Sequence, residues 1–167
     1  MIKKLLIALA VFFPMLASAQ TVKIGLVDVN TILAGHPDTQ AAQTKLQDAQ
    51  KKYDAEYQKL GQEFQRMFEE YQKGTNDLPA IKQRKEQELQ DYQNKIQQFE
   101  QSAAQDLQKM QADLMQPIIA KVQQAIESVG KEGGYTLIQN LDPQIVFYHA
   151  APAVDITNDV KAKLGMK

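Results

Sequence analysis

The stretch FQRMFEEYQKGTNDLPAIKQRKEQEL, residues 64 to 89, decides the fold. Its first half places apolar residues about one helical turn apart, and GTNDLP then supplies a turn. Gly74 is predicted to end the first helix as a left-handed cap, and Pro79 to begin the next, because proline suits the first helical position. The stretch therefore predicts two helices that fold back on each other as an antiparallel hairpin.

An apolar stripe extends from this turn along both predicted helices. The segments 37–73 and 79–116 are rich in Gln, Lys, Glu and Ala, with Pro37 at the start of the first. Apolar spacings of three and four are typical of a helix that buries one narrow seam against a partner. At 1.5 Å per residue each helix is about 55 Å long. The seam positions are Leu46, Ala49, Tyr53, Tyr57, Leu60, Phe64, Met67 and Tyr71, then Leu89, Tyr92, Ile96, Phe99, Ala103, Leu107, Met110 and Leu114.

The sequences on either side of the hairpin predict a small α+β body. TVKIGLVDVNTIL, from Thr21, favours a β-strand that becomes helical or irregular near Asn30. YTLIQN and IVFYH favour two further strands, and the spacing of Ile156, Val160 and Leu164 favours a short final helix. We expect a β-body carrying a long helical arm.

Two prolines mark the predicted base of the arm. Equal helix lengths place Pro117 beside Pro37, where Pro117 is expected to interrupt and kink the second helix. Beyond it the apolar face becomes wider and more aliphatic, and Gly130, Gly133 and Gly134 are expected to end the helix. We therefore assign residues 37–116 to the arm, and residues 20–36 and 117–167 to the body.

The N-terminal sequence MIKKLLIALAVFFPMLASAQ has the three regions of a secretory signal peptide: two lysines, a short apolar run and an Ala-x-Ala end. The apolar run is too short to span a membrane, so we expect cleavage after residue 19; an uncleaved anchor is the alternative. Cleavage removes two lysines and no carboxylates, which changes the net charge from −1 to −3. A mildly acidic, exported chain is not expected to bind nucleic acid.

The composition argues against an enzyme. The chain has no cysteine, and its three serines do not lie on a strand-to-helix turn. His36 and His149 are the only histidines and are far apart in sequence, which is a poor metal pattern. GKEGG, residues 130–134, lacks the Lys-Ser/Thr ending of a phosphate loop. We predict no catalytic residue, no metal site and no cofactor.

The body is predicted to oligomerise. It has about sixty residues, a size that is marginal for independent folding. Its short strands leave open edges, and the two-helix arm cannot enclose its own seam. We expect strand addition between protomers. The residues predicted to form the oligomer body are Ile24, Leu26, Leu137, Ile145 and Phe147.

Three segments together resemble the Skp/OmpH family of periplasmic chaperones: KIGLVDVNTIL from residue 23, PxxxxVxxAIxxVGKEGGYTLI from residue 117, and VFYHAAPAVDITNDVKAKL from residue 146. The resemblance covers nearly the whole mature chain. It implies a trimeric, jellyfish-like architecture in which three helical hairpins hang from a central β-body around a cavity. It also implies an ATP-independent holdase that binds unfolded outer-membrane β-barrel proteins.

The arm tip departs from the basic arms common in this family. Lys73, Lys82, Arg84 and Lys85 are accompanied by Glu69, Glu70, Asp77, Glu86 and Glu88. This near balance argues against binding of lipopolysaccharide or an anionic membrane.

Four residues of the opening stretch are candidates for client binding: Phe64, Met67, Phe68 and Tyr71. Aromatic and Met side chains make adaptable apolar contacts, which suits a protein that binds many partners. A seam between the two helices alone also explains three of them, but Phe68 lies off the seam. The alternative function is a non-catalytic envelope scaffold whose arms bind one folded partner.

Overall fold

The computed structural model of the protein describes residues 22–74 and 76–166, so the predicted signal peptide lies outside the described residues. A three-stranded sheet and two short helices form a body, and a helical hairpin projects from it. The elements in chain order are β1 Ile24–Val27, α1 Val29–Gly35, α2 Pro37–Lys73, α3 Pro79–Gly133, β2 Leu137–Asn140, β3 Ala153–Asp155 and α4 Thr157–Lys163.

The predicted hairpin is confirmed, with α2 and α3 beginning at the two predicted prolines. The buried His36 caps α2, because its Nδ1 accepts a hydrogen bond from the backbone N–H of Asp38 at 3.1 Å. The prediction of a left-handed cap at Gly74 was wrong, since its φ is −80°. The N–H of Gly74 instead donates to the carbonyl of Tyr71, three residues earlier, and this bond closes the last turn of α2.

The prediction that Pro117 interrupts the second helix was also wrong, because α3 runs as one helix of 55 residues. A proline inside a helix costs about 3 kcal/mol through a lost hydrogen bond and a steric clash. The buried residues Ile118, Val122 and Val129 on the same helix offset that cost by packing in the body. The arm and the body therefore share α3, which ends in the predicted glycine cluster: Gly130 and Gly133 lie within the helix, and Gly134 caps it in the left-handed conformation.

β1 is the central strand and pairs in parallel with both neighbours, in the order β2-β1-β3. The predicted strand IVFYH, residues 145–149, is not a strand, and the third strand lies later, at Ala153–Asp155. Both edges of β1 are already paired, so residues 141–152 must cross from the end of β2 back to the start of β3. Asp142 begins that crossover by accepting backbone hydrogen bonds from Ile145 and Val146.

The core of the body lies between the sheet and three helices. It joins Val27 of β1, Ile32 of α1, Val122 of α3 and Val160 of α4, each almost fully buried. The predicted final helix is confirmed, and Ile156 at its start is fully buried. This core fixes the base of the arm, from which both long helices extend.

Candidate functional site

The seam between α2 and α3 is confirmed. All of its predicted positions are half-buried or buried except Tyr57, whose side chain is 44% exposed. Among the seam positions, only Leu60 and Ala103 are buried rather than half-buried, as expected for two helices that no third helix covers. The arm therefore presents a partly open apolar surface along its length.

Tyrosine hydroxyl groups connect the two helices in a way that the sequence analysis missed. Tyr53 donates a hydrogen bond to Asp106 at 3.0 Å, and Tyr71 donates one to Glu86 at 2.5 Å. These bonds raise the pKa of both tyrosines, because the neutral hydroxyl is the donor. A hydrogen bond to Glu100 raises the pKa of Tyr57 in the same way. The tyrosines and carboxylates are visible in the sequence, but which of them pair depends on the register between the two helices.

The four predicted client-binding residues do not share one environment. Phe64, Met67 and Tyr71 are half-buried in the seam, and Tyr71 is held there by Glu86. Phe68 lies on the outer surface, with 44% of its side chain exposed. Of the four, Phe68 is the one available for contact without any opening of the hairpin.

The arm tip carries two exposed apolar residues that the sequence analysis overlooked. Leu78 occupies the N-cap position of α3, where its side chain makes no capping hydrogen bond, and is 69% exposed. Ile81 lies in the first turn of that helix and is also exposed. Leucine before a proline in a turn has no helical neighbour to cover it, which is the signal that could have identified it. Phe68, Leu78 and Ile81 form the set that we call the tip residues.

Charges at the tip are paired locally. Lys85 binds Asp77 across the turn at 2.6 Å, and Arg84 lies 3.4 Å from Glu88. Further up α2, Arg66 bridges Glu63 and Glu70, which raises the pKa of its guanidinium. The tip therefore carries ion pairs of nearly balanced charge in addition to its exposed apolar residues.

An ion pair joins the two helices at the base of the arm. Lys121 binds Asp38 at 2.6 Å and lowers the pKa of that carboxyl, mainly by a hydrogen bond to the ionised form. Pro117 and Asp38 line one small groove, as the predicted position of Pro117 near Pro37 requires. This contact joins the two helices on the solvent side of the place where the arm meets the body.

A groove of about 680 Å³ lies between α2 and α3 near the base, and we call it the arm groove. Its apolar lining consists of Ala49, Tyr53, Met110 and Leu114. Three charged residues border it, namely Lys45, Asp48 and Lys52.

The residues predicted for the oligomer body fall into two groups. Leu26 is buried and Ile24 is half-buried within the chain's own sheet. Leu137, Ile145 and Phe147 are exposed, and Phe147 is 87% exposed. The neighbouring Tyr148 is 84% exposed. The loop between β2 and β3 thus presents an aromatic pair that the chain itself does not cover.

Within residues 22–74 and 76–166, no group of three or more His, Cys, Asp or Glu side chains is placed to hold a metal ion. Among the helices in those ranges, none is both long enough and apolar enough to cross a membrane.

Comparison with known proteins identifies the family. The family model described as outer membrane protein (OmpH-like) matches residues 23–164. A crystal structure of a protein from Caulobacter crescentus CB15, provisionally named an outer membrane chaperone (OmpH-like), superimposes with a TM-score of 0.73. That match has 14% sequence identity and covers 86% of this chain and 83% of the other. A comparison with curated proteins gives no match. The family model covers most of the sequence, and the chain therefore belongs to the OmpH-like family.

Proposed function

We propose that this protein is an ATP-independent holdase chaperone of the periplasm, which binds unfolded outer-membrane β-barrel proteins and prevents their aggregation. Membership of the OmpH-like family supports a chaperone role. The signal-peptide pattern in residues 1–19 supports export. The protein acts by binding alone, without catalysis or a cofactor.

One observation carries this proposal: exposed apolar side chains are spread thinly along the arm. Tyr57 and the tip residues Phe68, Leu78 and Ile81 are each at least 36% exposed, and ion pairs of both charges also occur at the tip. A contiguous apolar patch would promote self-association, whereas separated apolar groups can bind an unfolded chain weakly at several points. Weak contacts on linked arms add through effective concentration.

The proposed holdase is a homotrimer assembled through the body, with the three arms around a cavity. The exposed loop residues Ile145, Phe147 and Tyr148 supply apolar surface for contact between protomers. β2 and β3 are edge strands in the single chain, which leaves backbone groups available for pairing. Both features favour association through the strands and the crossover loop.

Suppression of aggregation by arm variants tests the client-binding proposal. An outer-membrane β-barrel protein unfolded in urea is diluted into buffer with the mature protein, and light scattering is followed without nucleotide. We expect the wild type to suppress scattering and the double variant Phe68→Ser, Leu78→Ser to suppress it less. Gln72→Ser, at an exposed polar position of the same arm, controls for reduced helix propensity.

Equal suppression by the double variant and the wild type would contradict a client-binding role for these tip residues. Circular dichroism and sedimentation of each variant establish that the helices and the assembly are retained. Failure of the wild type to suppress scattering would contradict the holdase function itself and favour a scaffold that binds a folded partner.

A further inference from the structure

The arm groove exists because a small residue interrupts the seam. Ala49 occupies a seam position where the preceding and following positions are Leu46 and Tyr53. Its short side chain leaves space opposite Met110 and Leu114, which line the other wall of the groove. The volume of about 680 Å³ is within the range of sites that bind small ligands or side chains.

The apolar floor of the groove is short. Ala49 and Tyr53 are four residues apart on α2, and so are Met110 and Leu114 on α3. Four residues of helix extend about 6 Å, which is comparable to one aromatic ring. A long acyl chain would extend beyond this floor onto charged surface, so the short apolar floor favours an aromatic ring over a long acyl chain.

The border of the groove carries positive charge although the chain as a whole has a net charge of −1. Its one carboxylate, Asp48, lies 3.7 Å from Lys51. Within the described part of the chain, neither Lys45 nor Lys52 has a carboxylate within 4.0 Å. An anionic group on the bound ligand would complement these two ammonium groups.

The lining also suits an aromatic ring chemically. The Met110 thioether makes favourable contacts with aromatic edges, and the ring of Tyr53 can stack with another ring. The hydroxyl of Tyr53 is already bound to Asp106, so the ring of Tyr53 is held in place by its own hydrogen bond. Lysine ammonium groups at the border add attraction to an aromatic face.

We propose that the arm groove binds one aromatic side chain of an extended, unfolded polypeptide, whose neighbouring carboxylate pairs with Lys45 or Lys52. This inference rests on the proposed holdase function and specifies the client segment that the arm selects, an aromatic residue beside an acidic one. The groove lies near the base of the arm and is separate from the tip residues.

Peptide binding to the full mature protein tests the proposal. The probe is a fluorescein-labelled Gly/Ser peptide with one Phe-Asp pair, and binding is measured by fluorescence anisotropy. Two matched peptides replace Phe by Ala or Asp by Lys. We expect the Phe-Asp peptide to bind the wild type more tightly than either matched peptide.

Two sets of variants locate the binding site. Ala49→Leu fills the groove and should weaken binding of the Phe-Asp peptide by about tenfold. Ala55→Leu, the same substitution at an exposed position of α2, should leave it unchanged. The double variant Lys45→Gln, Lys52→Gln should bind the Phe-Asp peptide about threefold more weakly and should no longer prefer it to the peptide with Lys in place of Asp. The control double variant Lys59→Gln, Lys95→Gln should retain both the affinity and the preference. The lysines are exposed, so this second set remains informative if Ala49→Leu disturbs the hairpin.

Three outcomes would overturn the proposal: equal binding of the three peptides, unchanged affinity in both groove variants, or binding of dodecyl phosphate at the groove without binding of the peptide. Light scattering with an unfolded β-barrel protein separates this inference from the proposed function. If groove variants bind the peptide normally while the wild type suppresses scattering, the groove assignment fails and the holdase stands. If the wild type binds the peptide in the groove but suppresses no scattering, the holdase proposal fails.

Discussion

Tyr71 and Glu86 are joined across the arm tip by a hydrogen bond of 2.5 Å from the tyrosine hydroxyl to the carboxylate. Tyr71 lies in the seam within the last turn of α2, and Glu86 lies two turns into α3. The bond therefore joins the two helices close to the turn that connects them. It places Tyr71 primarily in the architecture of the tip and leaves Phe68 beside it facing outward.

Removing this hydroxyl should loosen the tip without unfolding the body. In Tyr71→Phe we expect amide hydrogen exchange in the last turn of α2 and the first turns of α3 to become faster, because the connection to Glu86 is lost. Exchange in the core around Val122 and Val160 should not change, since these residues lie in the body. Equal exchange at the tip of the variant and the wild type would contradict a fastening role.

The same bond gives a dependence on alkaline pH. The pKa of Tyr71 is raised in the folded protein, so the bond contributes to stability below the tyrosine's unfolded value near 10.0. That contribution is lost as pH rises through the higher folded value. We expect ultraviolet titration of the wild type to show tyrosines that ionise above pH 10.0. The variant Tyr71→Phe should show fewer such tyrosines than the wild type. Titration of all tyrosines at or below their ordinary value would argue against these hydrogen bonds.

At the base of the arm, the pKa of Asp38 should depend on Lys121. The ion pair lowers the pKa of Asp38 below its ordinary value of 3.8, so its contribution to stability is present above that value and is lost as pH falls through the folded pKa. In Lys121→Gln we expect the pKa of Asp38, followed by NMR titration of its side-chain carboxyl carbon, to return toward 3.8. Lys131→Gln removes the ion pair between Lys131 and Glu127 within α3 and serves as the control.

Glycine-to-alanine substitutions at two positions should have opposite effects. A Cβ at Gly61 meets no atom within 4 Å, so Gly61→Ala should stabilise the protein against urea by about 1 kcal/mol through higher helix propensity. Client capture should fall in this variant if Gly61 is the flexible point in the arm that its mid-helix position suggests. A variant no more stable than the wild type would show that the glycine has a structural role in α2.

At Gly25 an added methyl group would be tightly packed. Its Cβ would lie 3.0 Å from Ile156 Cδ1 and 3.1 Å from Ile138 Cγ1, so both side chains would have to shift, and Ile156 is fully buried in the core. We expect Gly25→Ala to lower the free energy of unfolding by about 1 to 3 kcal/mol, the usual cost of overpacking a core. Urea unfolding of both alanine variants under the same conditions provides the comparison, and a neutral result at Gly25 would contradict the close packing of β1 against α4.

The helical arm could be predicted from the sequence because its determinants are local. Pro37 and Pro79 begin the helices, and the apolar spacing identifies the seam, all within one or two turns of each residue. The third strand could not be predicted from the sequence, because the segment that pairs with β1 lies far from it along the chain. IVFYH has the composition of a strand, yet the short segment at Ala153–Asp155 occupies the remaining edge of β1.

The candidate site was predictable in part for similar reasons. Phe68 was separable from the seam by its position alone, and the structure places it on the surface. The tyrosine-to-carboxylate bonds depend on the register between α2 and α3, which the turn sets to within a residue or two. The arm groove depends on the absence of a side chain at Ala49, which a pattern of apolar residues does not reveal.

Sedimentation equilibrium of the mature protein, alone and then with a urea-diluted outer-membrane β-barrel protein, tests the central claim most directly. We expect a trimer that takes up one unfolded chain without nucleotide and keeps it in solution. A stable monomer, or a trimer from which the client sediments as aggregate, would contradict the proposal that this OmpH-like protein is a trimeric holdase.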